Sequence, residues 1–141
     1  MLTEKDYCDK DLSATLMKMG FRGFGHFYYE KGNSKLKATH QFLTVRTAKA
    51  LGHTLAISLY VAQKWLREEK GIFSDIGLFN DGAFYYCIRQ KKNNYWAEIY
   101  RSFFHDDLFD DYGKFESYEE ALSEGIKEAV KILKENEIIH R

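Results

Sequence analysis

The sequence predicts an α+β fold, an antiparallel β-meander with helices packed on one face, in a single domain spanning 1–141. Three observations carry that prediction. Apolar residues recur at helical spacing in three stretches, and a cap residue precedes each. From Ile72 to Phe104 the chain is rich in aromatic and branched residues and is broken twice by polar turn signals. Aromatic residues make up 16% of the chain and proline is absent, which suits a sheet turned by glycine, asparagine and aspartate.

The first helix follows Asp9, with Leu12, Leu16 and Met19 on one stripe and Gly20 at its end. In the run Phe21 to Tyr29 the aromatic second half reads as a strand. Lys31-Gly32-Asn33-Ser34 turns, and Lys35 to Thr39 returns as a hairpin. The stretch from His40 to Ile57 supports two readings. Val45 to Leu51 before Gly52 is either a short helix or an irregular cover on one face of the sheet.

Ser58 caps the second helix, whose Leu59, Ala62 and Leu66 share a face with Val61 and Trp65 beside it, and Gly71 stops it. Strands at Ile72–Phe79, Ala83–Arg89 and Tyr95–Phe104 follow, joined through Asn80-Asp81-Gly82 and Gln90 to Asn94. Ser117-Tyr118-Glu119-Glu120 has the form of a capping box. Behind it Leu122, Ile126, Ala129, Val130 and Leu133 form the apolar stripe of the last helix.

Composition excludes several function classes. At 141 residues the chain is long enough for one core without disulfides or metal. Acidic and basic residues balance at 21 each, so no global field draws the protein to DNA or to an acidic bilayer, and nothing strong keeps copies apart. The N-terminal residues lack the apolar core of a signal peptide, and no run reaches the ~20 apolar residues of a membrane span. The expected location is the cytoplasm, away from the membrane. No cofactor motif is present, so no cofactor is expected.

The candidate sites are few. His105, Asp106, Asp107, Asp110 and Asp111 hold the donor types of a metal site, but their spacing fits neither an EF-hand nor an HExxH helix, and a solvated acidic loop is the preferred reading. Gly20 to Gly25 is glycine-rich, yet helix precedes it and strand follows, the reverse of a dinucleotide fingerprint. Cys87 sits in the apolar run Phe84 to Ile88 and reads as a buried, inert thiol. The histidines are scattered, and no nucleophile motif flanks a serine or cysteine. Arg89, Lys91, Lys92 and Trp96 place cations beside a ring at a hairpin tip, the elements of a nucleic-acid contact, with Lys31, Lys35 and Lys37 at a second tip.

Two segments carry a resemblance. Ala62 to Glu68 reads AQKWLRE, and Tyr118 to Leu122 with Gly125 to Ala129 reads YEEAL-x-x-GIKEA. Together they resemble a family of small uncharacterised proteins encoded by phages and mobile elements of gut bacteria, over roughly Ser58 to Leu133. The resemblance implies a fold and a genomic setting, and no activity. The leading expectation is a non-enzymatic accessory protein that binds a protein partner or itself as a homodimer, since sheets that expose aromatic residues make good interfaces. A nucleic-acid-binding or antitoxin-like module ranks second. A small metal-dependent hydrolase using His105 to Asp111 ranks third.

Overall fold

A computed structural model describes residues 3–103 and 113–139. The α+β class holds, with four α-helices and two three-stranded antiparallel sheets among the described residues. The chain divides into two compact units, 1–62 and 63–141.

In the first unit a 3-10 turn at Glu4–Asp6 leads to α1 (Lys10–Lys18). The Asp9 carboxylate caps α1 by accepting from the Leu12 amide at 2.8 Å. The helix ends as the glycine predicts: Gly20 takes φ +105°, and the Phe21 amide bonds back to the Leu16 carbonyl at 3.0 Å. Strands β1 (Phe24–Tyr29), β2 (Lys37–Thr44) and β3 (Thr54–Leu55) form a sheet of order β2-β1-β3, with α2 (Val45–Ala50) between the last two. Ser13, buried on α1, donates to the Cys8 carbonyl and accepts from the Ile57 amide, each at 3.3 Å. The Tyr29 hydroxyl donates to the same Cys8 carbonyl at 2.7 Å. These bonds tie the N-terminal segment across the apolar core of Leu12, Leu16, Leu55 and Leu59.

β2 runs five residues past the Thr39 at which the hairpin reading stops, and the ambiguous segment resolves into strand, helix and strand. Leu43 is the one residue buried between Lys37 and Thr44, so the strand shows no alternation for sequence reasoning to find. The register with β1 also shifts between Gly25 and Phe27. β3 is two residues long, below the length at which a pattern exists.

Helix α3 (Leu59–Lys70) crosses the division between units. Strands β4 (Ile72–Leu78), β5 (Phe84–Lys92) and β6 (Tyr95–Arg101) form the expected meander of order β4-β5-β6, and α4 (Tyr118–Ile139) packs on it. Asn93 takes φ 52° in the β5–β6 turn, where asparagine tolerates the left-handed region. Ser117 accepts from the Glu120 amide at 3.1 Å, the serine half of the predicted box. One face of α4 buries Ala121, Leu122, Ile126, Ala129 and Val130. At Gly125 the helix approaches the sheet closely, and buried Ser74 donates to the Gly125 carbonyl at 2.8 Å.

Beyond β6, buried Ser102 accepts from the Tyr86 amide at 3.1 Å and donates to the Gly113 carbonyl at 2.8 Å. Gly113 takes φ +80°, and a side chain there would strike the Ser102 backbone. Phe84 and Phe115 then exchange two backbone bonds of 2.8 Å, which fixes the approach to α4.

Candidate functional site

Alternation along the meander sends Tyr86, Ile88 and Ser74 to one side of the sheet and Phe73, Asp75, Tyr85, Cys87 and Arg89 to the other. On β6 the pairing shifts between Ile88 and Arg89: Tyr100 stands opposite Ile88, and Glu98 opposite Arg89. Ile99 is therefore an extra residue, a bulge that puts Glu98 and Arg101 on the same face although they are three apart in sequence. The result is a charged network on the side opposite α4. Arg89 Nε donates to Asp75 Oδ2 at 3.2 Å. Arg101 Nε and the Cys87 thiol both donate to Glu98 Oε1, at 3.0 and 2.7 Å.

The electrostatics follow from that geometry. Bonds from Arg101 and then Cys87 hold the Glu98 carboxyl down at about 2. Burial, and secondarily the bond to Glu98, push the Cys87 thiol up to about 12. A thiol so protonated is a poor nucleophile at neutral pH. Cys87 is buried as its apolar neighbours in sequence predict, yet what covers it is a set of long charged side chains.

These groups line a shallow depression of about 150 Å³ that remains open to solvent, with the Arg89 and Asp75 side chains 37% and 42% exposed. Beside it Phe79, Tyr85 and Phe103 pack edge to face and tilted, with ring centroids 4.7–4.9 Å apart. The Tyr85 ring lies over Gly77, where a side chain would collide with it. β6 is a sheet edge, and it exposes Tyr95, Ile99 and Tyr100.

The residues singled out in the sequence meet different fates. Lys91 stands opposite Trp96, and Lys92 opposite Tyr95, at the β5–β6 tip. Lys91, Lys92 and Tyr95 are exposed there. Arg89 lies further in and is committed to Asp75, so it is not a free cation. Trp96 is half-buried, edge-on to Phe73 at 6.2 Å. At the other tip Lys37 pairs with Glu30 at 2.9 Å, while Lys31 and Lys35 are exposed. His105, Asp106, Asp107, Asp110 and Asp111 lie outside the described residues, as does His140. Among the described residues no group of three or more histidine, cysteine or acidic side chains is placed to hold a metal ion. His53 stacks on Tyr28 with ring centroids 4.5 Å apart.

One cluster escaped sequence reasoning. Arg22, Arg46 and Lys49 line a common mouth with Phe24 in the first unit. They come from the α1–β1 connection and from α2, and no local motif links those segments. No family model matches the chain, and no curated protein or solved structure matches it either.

Proposed function

We propose that the chain is a non-enzymatic accessory protein that acts by binding protein, first of all a second copy of itself, along the β6 edge. The observation that supports this is the edge itself. Among the described residues no strand pairs with the outer side of β6, which also exposes Tyr95, Ile99 and Tyr100. An aromatic edge of this kind is a template for strand addition; natural sheets protect such edges with lysine, proline, other charges or a bulge, and β6 has the Glu98–Arg101 pair and the Ile99 bulge rather than lysine or proline. Neither residue occurs between Tyr95 and Arg101. On the adjoining face Asp75 is paired with Arg89 and Glu98 with Arg101, so two copies meeting there would not face a field of one sign. Zero net charge leaves little long-range repulsion between copies.

The AQKWLRE and YEEAL-x-x-GIKEA segments support a phage or mobile-element setting. No helix among the described residues is long and apolar enough to cross a membrane, and a cytoplasmic location belongs to the same proposal.

Size-exclusion chromatography with light scattering tests the reading. The wild-type chain is expected to run above its 16.6 kDa monomer mass at tens of micromolar, and Ile99→Lys to return it to that mass. A wild-type chain that stays monomeric at every accessible concentration refutes self-association through β6.

A further inference from the structure

The first unit carries a mouth of about 540 Å³ lined by Arg22, Gly23, Phe24, Thr44, Arg46 and Lys49. The local sequence explains how it is built. Gly20 turns the chain out of α1, and the Phe21 ring folds beneath Gly23, where any side chain would meet it. Phe21 is buried by that fold, while Arg22 and Phe24 are left outside. On the other side Thr44 closes β2 and caps α2 through its hydroxyl, which accepts from the Thr47 amide at 3.1 Å. Arg46 and Lys49 are three apart on α2 and so share a face.

Two features of this mouth call for a ligand. The first is uncompensated charge. Arg22, Arg46 and Lys49 are exposed, and among the described residues no carboxylate lines the mouth and none of the three has an ion-pair partner. The second is exposed aromatic area. Phe24 is 69% exposed and Phe42 54%, and their rings sit 4.6 Å apart, tilted by 33°. Singly exposed apolar side chains are ordinary, but these two rings adjoin, and a contiguous exposed patch marks a contact surface.

Cations that reach phosphates beside a ring on which a base can stack are what a single nucleic-acid strand needs. A duplex keeps its bases stacked inside and would use the cations alone. A bilayer presents a flat surface, poorly matched to a concave mouth. We propose that this mouth binds single-stranded nucleic acid, with phosphates held by Arg22, Arg46 and Lys49 and a base laid against the Phe24–Phe42 pair. The site is independent of β6 and uses none of the residues that the sequence had suggested for this role.

Anisotropy titrations of dye-labelled oligo-dT and oligo-U with the full chain test it, with a duplex and phosphatidylserine vesicles as further arms. Three phosphate contacts predict a log-log salt slope of about −2 for a single strand, a loss of about fifteen-fold between ~50 and ~200 mM salt. Removing one cation, as in Arg46→Ala, should flatten the slope by about 0.7. Phe24→Ala should weaken binding about 5- to 150-fold, and Phe24→Trp should restore or raise it. Lys91→Ala/Lys92→Ala should bind as wild type does. The proposal is overturned by no binding to either oligonucleotide at low salt, or by binding lost in the Lys91/Lys92 variant and kept in Arg22→Ala/Arg46→Ala/Lys49→Ala. Duplex binding that equals single-strand binding and ignores Phe24, or binding to vesicles alone, would overturn it equally.

Discussion

Replacing Gly125 by alanine should destabilise the second unit, although the same change stabilises an isolated helix. Glycine in a helix interior costs about 1 kcal/mol relative to alanine, so the substitution starts with that gain. Against it stands the closeness of α4 to the sheet. An alanine Cβ at this position would sit 3.1 Å from the Cβ of Tyr86 and 3.3 Å from the Cβ of Ser74. Carbon atoms pack comfortably at about 3.5–4.0 Å. Both neighbours are the first side-chain atoms of β-strand residues and cannot swing aside, so the helix must lift by a few tenths of an ångström. Overpacking of that kind costs about 1–3 kcal/mol. Lifting also stretches the buried 2.8 Å bond from Ser74 to the Gly125 carbonyl, which is worth about 1 kcal/mol. The balance is a net loss of about 1–3 kcal/mol, or a fall in Tm of about 4–12 °C for a chain of this size. Urea unfolding followed by tryptophan fluorescence measures it directly, because both Trp65 and Trp96 lie in the second unit. A Gly125→Ala midpoint equal to or above that of wild type, at unchanged m-value, would refute the close-approach argument.

Two further outcomes follow from the charged network. Cys8 and Cys87 are 0% and 3% exposed, and the Cys87 thiol is held up at about 12, so an aromatic disulfide reagent at mildly alkaline pH should label neither until urea is added. Rapid stoichiometric labelling of the native chain would show that the Glu98 contact does not protect the sulfur. The Glu98 carboxyl is held at about 2 when folded against 4.5 when free, so its contribution to stability is fully present above the free value and is lost as pH falls from about 4.5 towards 2. With the Glu98 and Arg101 side chains about a third exposed, screening limits that contribution to about 1 kcal/mol or less. The stability gap between wild type and Glu98→Gln should therefore shrink on acidification, and a gap that stays constant from neutral pH down would exclude the network as its source.

The elements legible in the sequence are those whose burial is periodic. Leu12 and Leu16, Ala62 and Leu66, and Leu122 and Ile126 repeat at helical spacing, each with a cap, and all six are buried. The meander was legible because Asp81-Gly82 and Asn93-Asn94 mark its turns. β2 and β3 were not, since one buries a single leucine and the other spans two residues. The sites were less legible than the fold because they depend on register. Arg89 looks like a free cation in the sequence, and only the alignment of β4 with β5 puts Asp75 within its reach. Glu98 and Arg101 share a face only because Ile99 bulges. The mouth at Arg22 draws on two segments that chain order keeps apart.

The clasp between Ser102 and Gly113 bears on how this chain can vary over evolutionary time. Ser102 and Gly113 are joined by a hydrogen bond, so the described chain on the two sides of 104–112 is pinned together at one point, while the pairing of β5 with β6 and the packing of α4 are made by residues outside that stretch. Variation at the anchors themselves is constrained: a residue without a hydroxyl at 102 loses the bonds to both Tyr86 and Gly113, and any side chain at 113 strikes the Ser102 backbone.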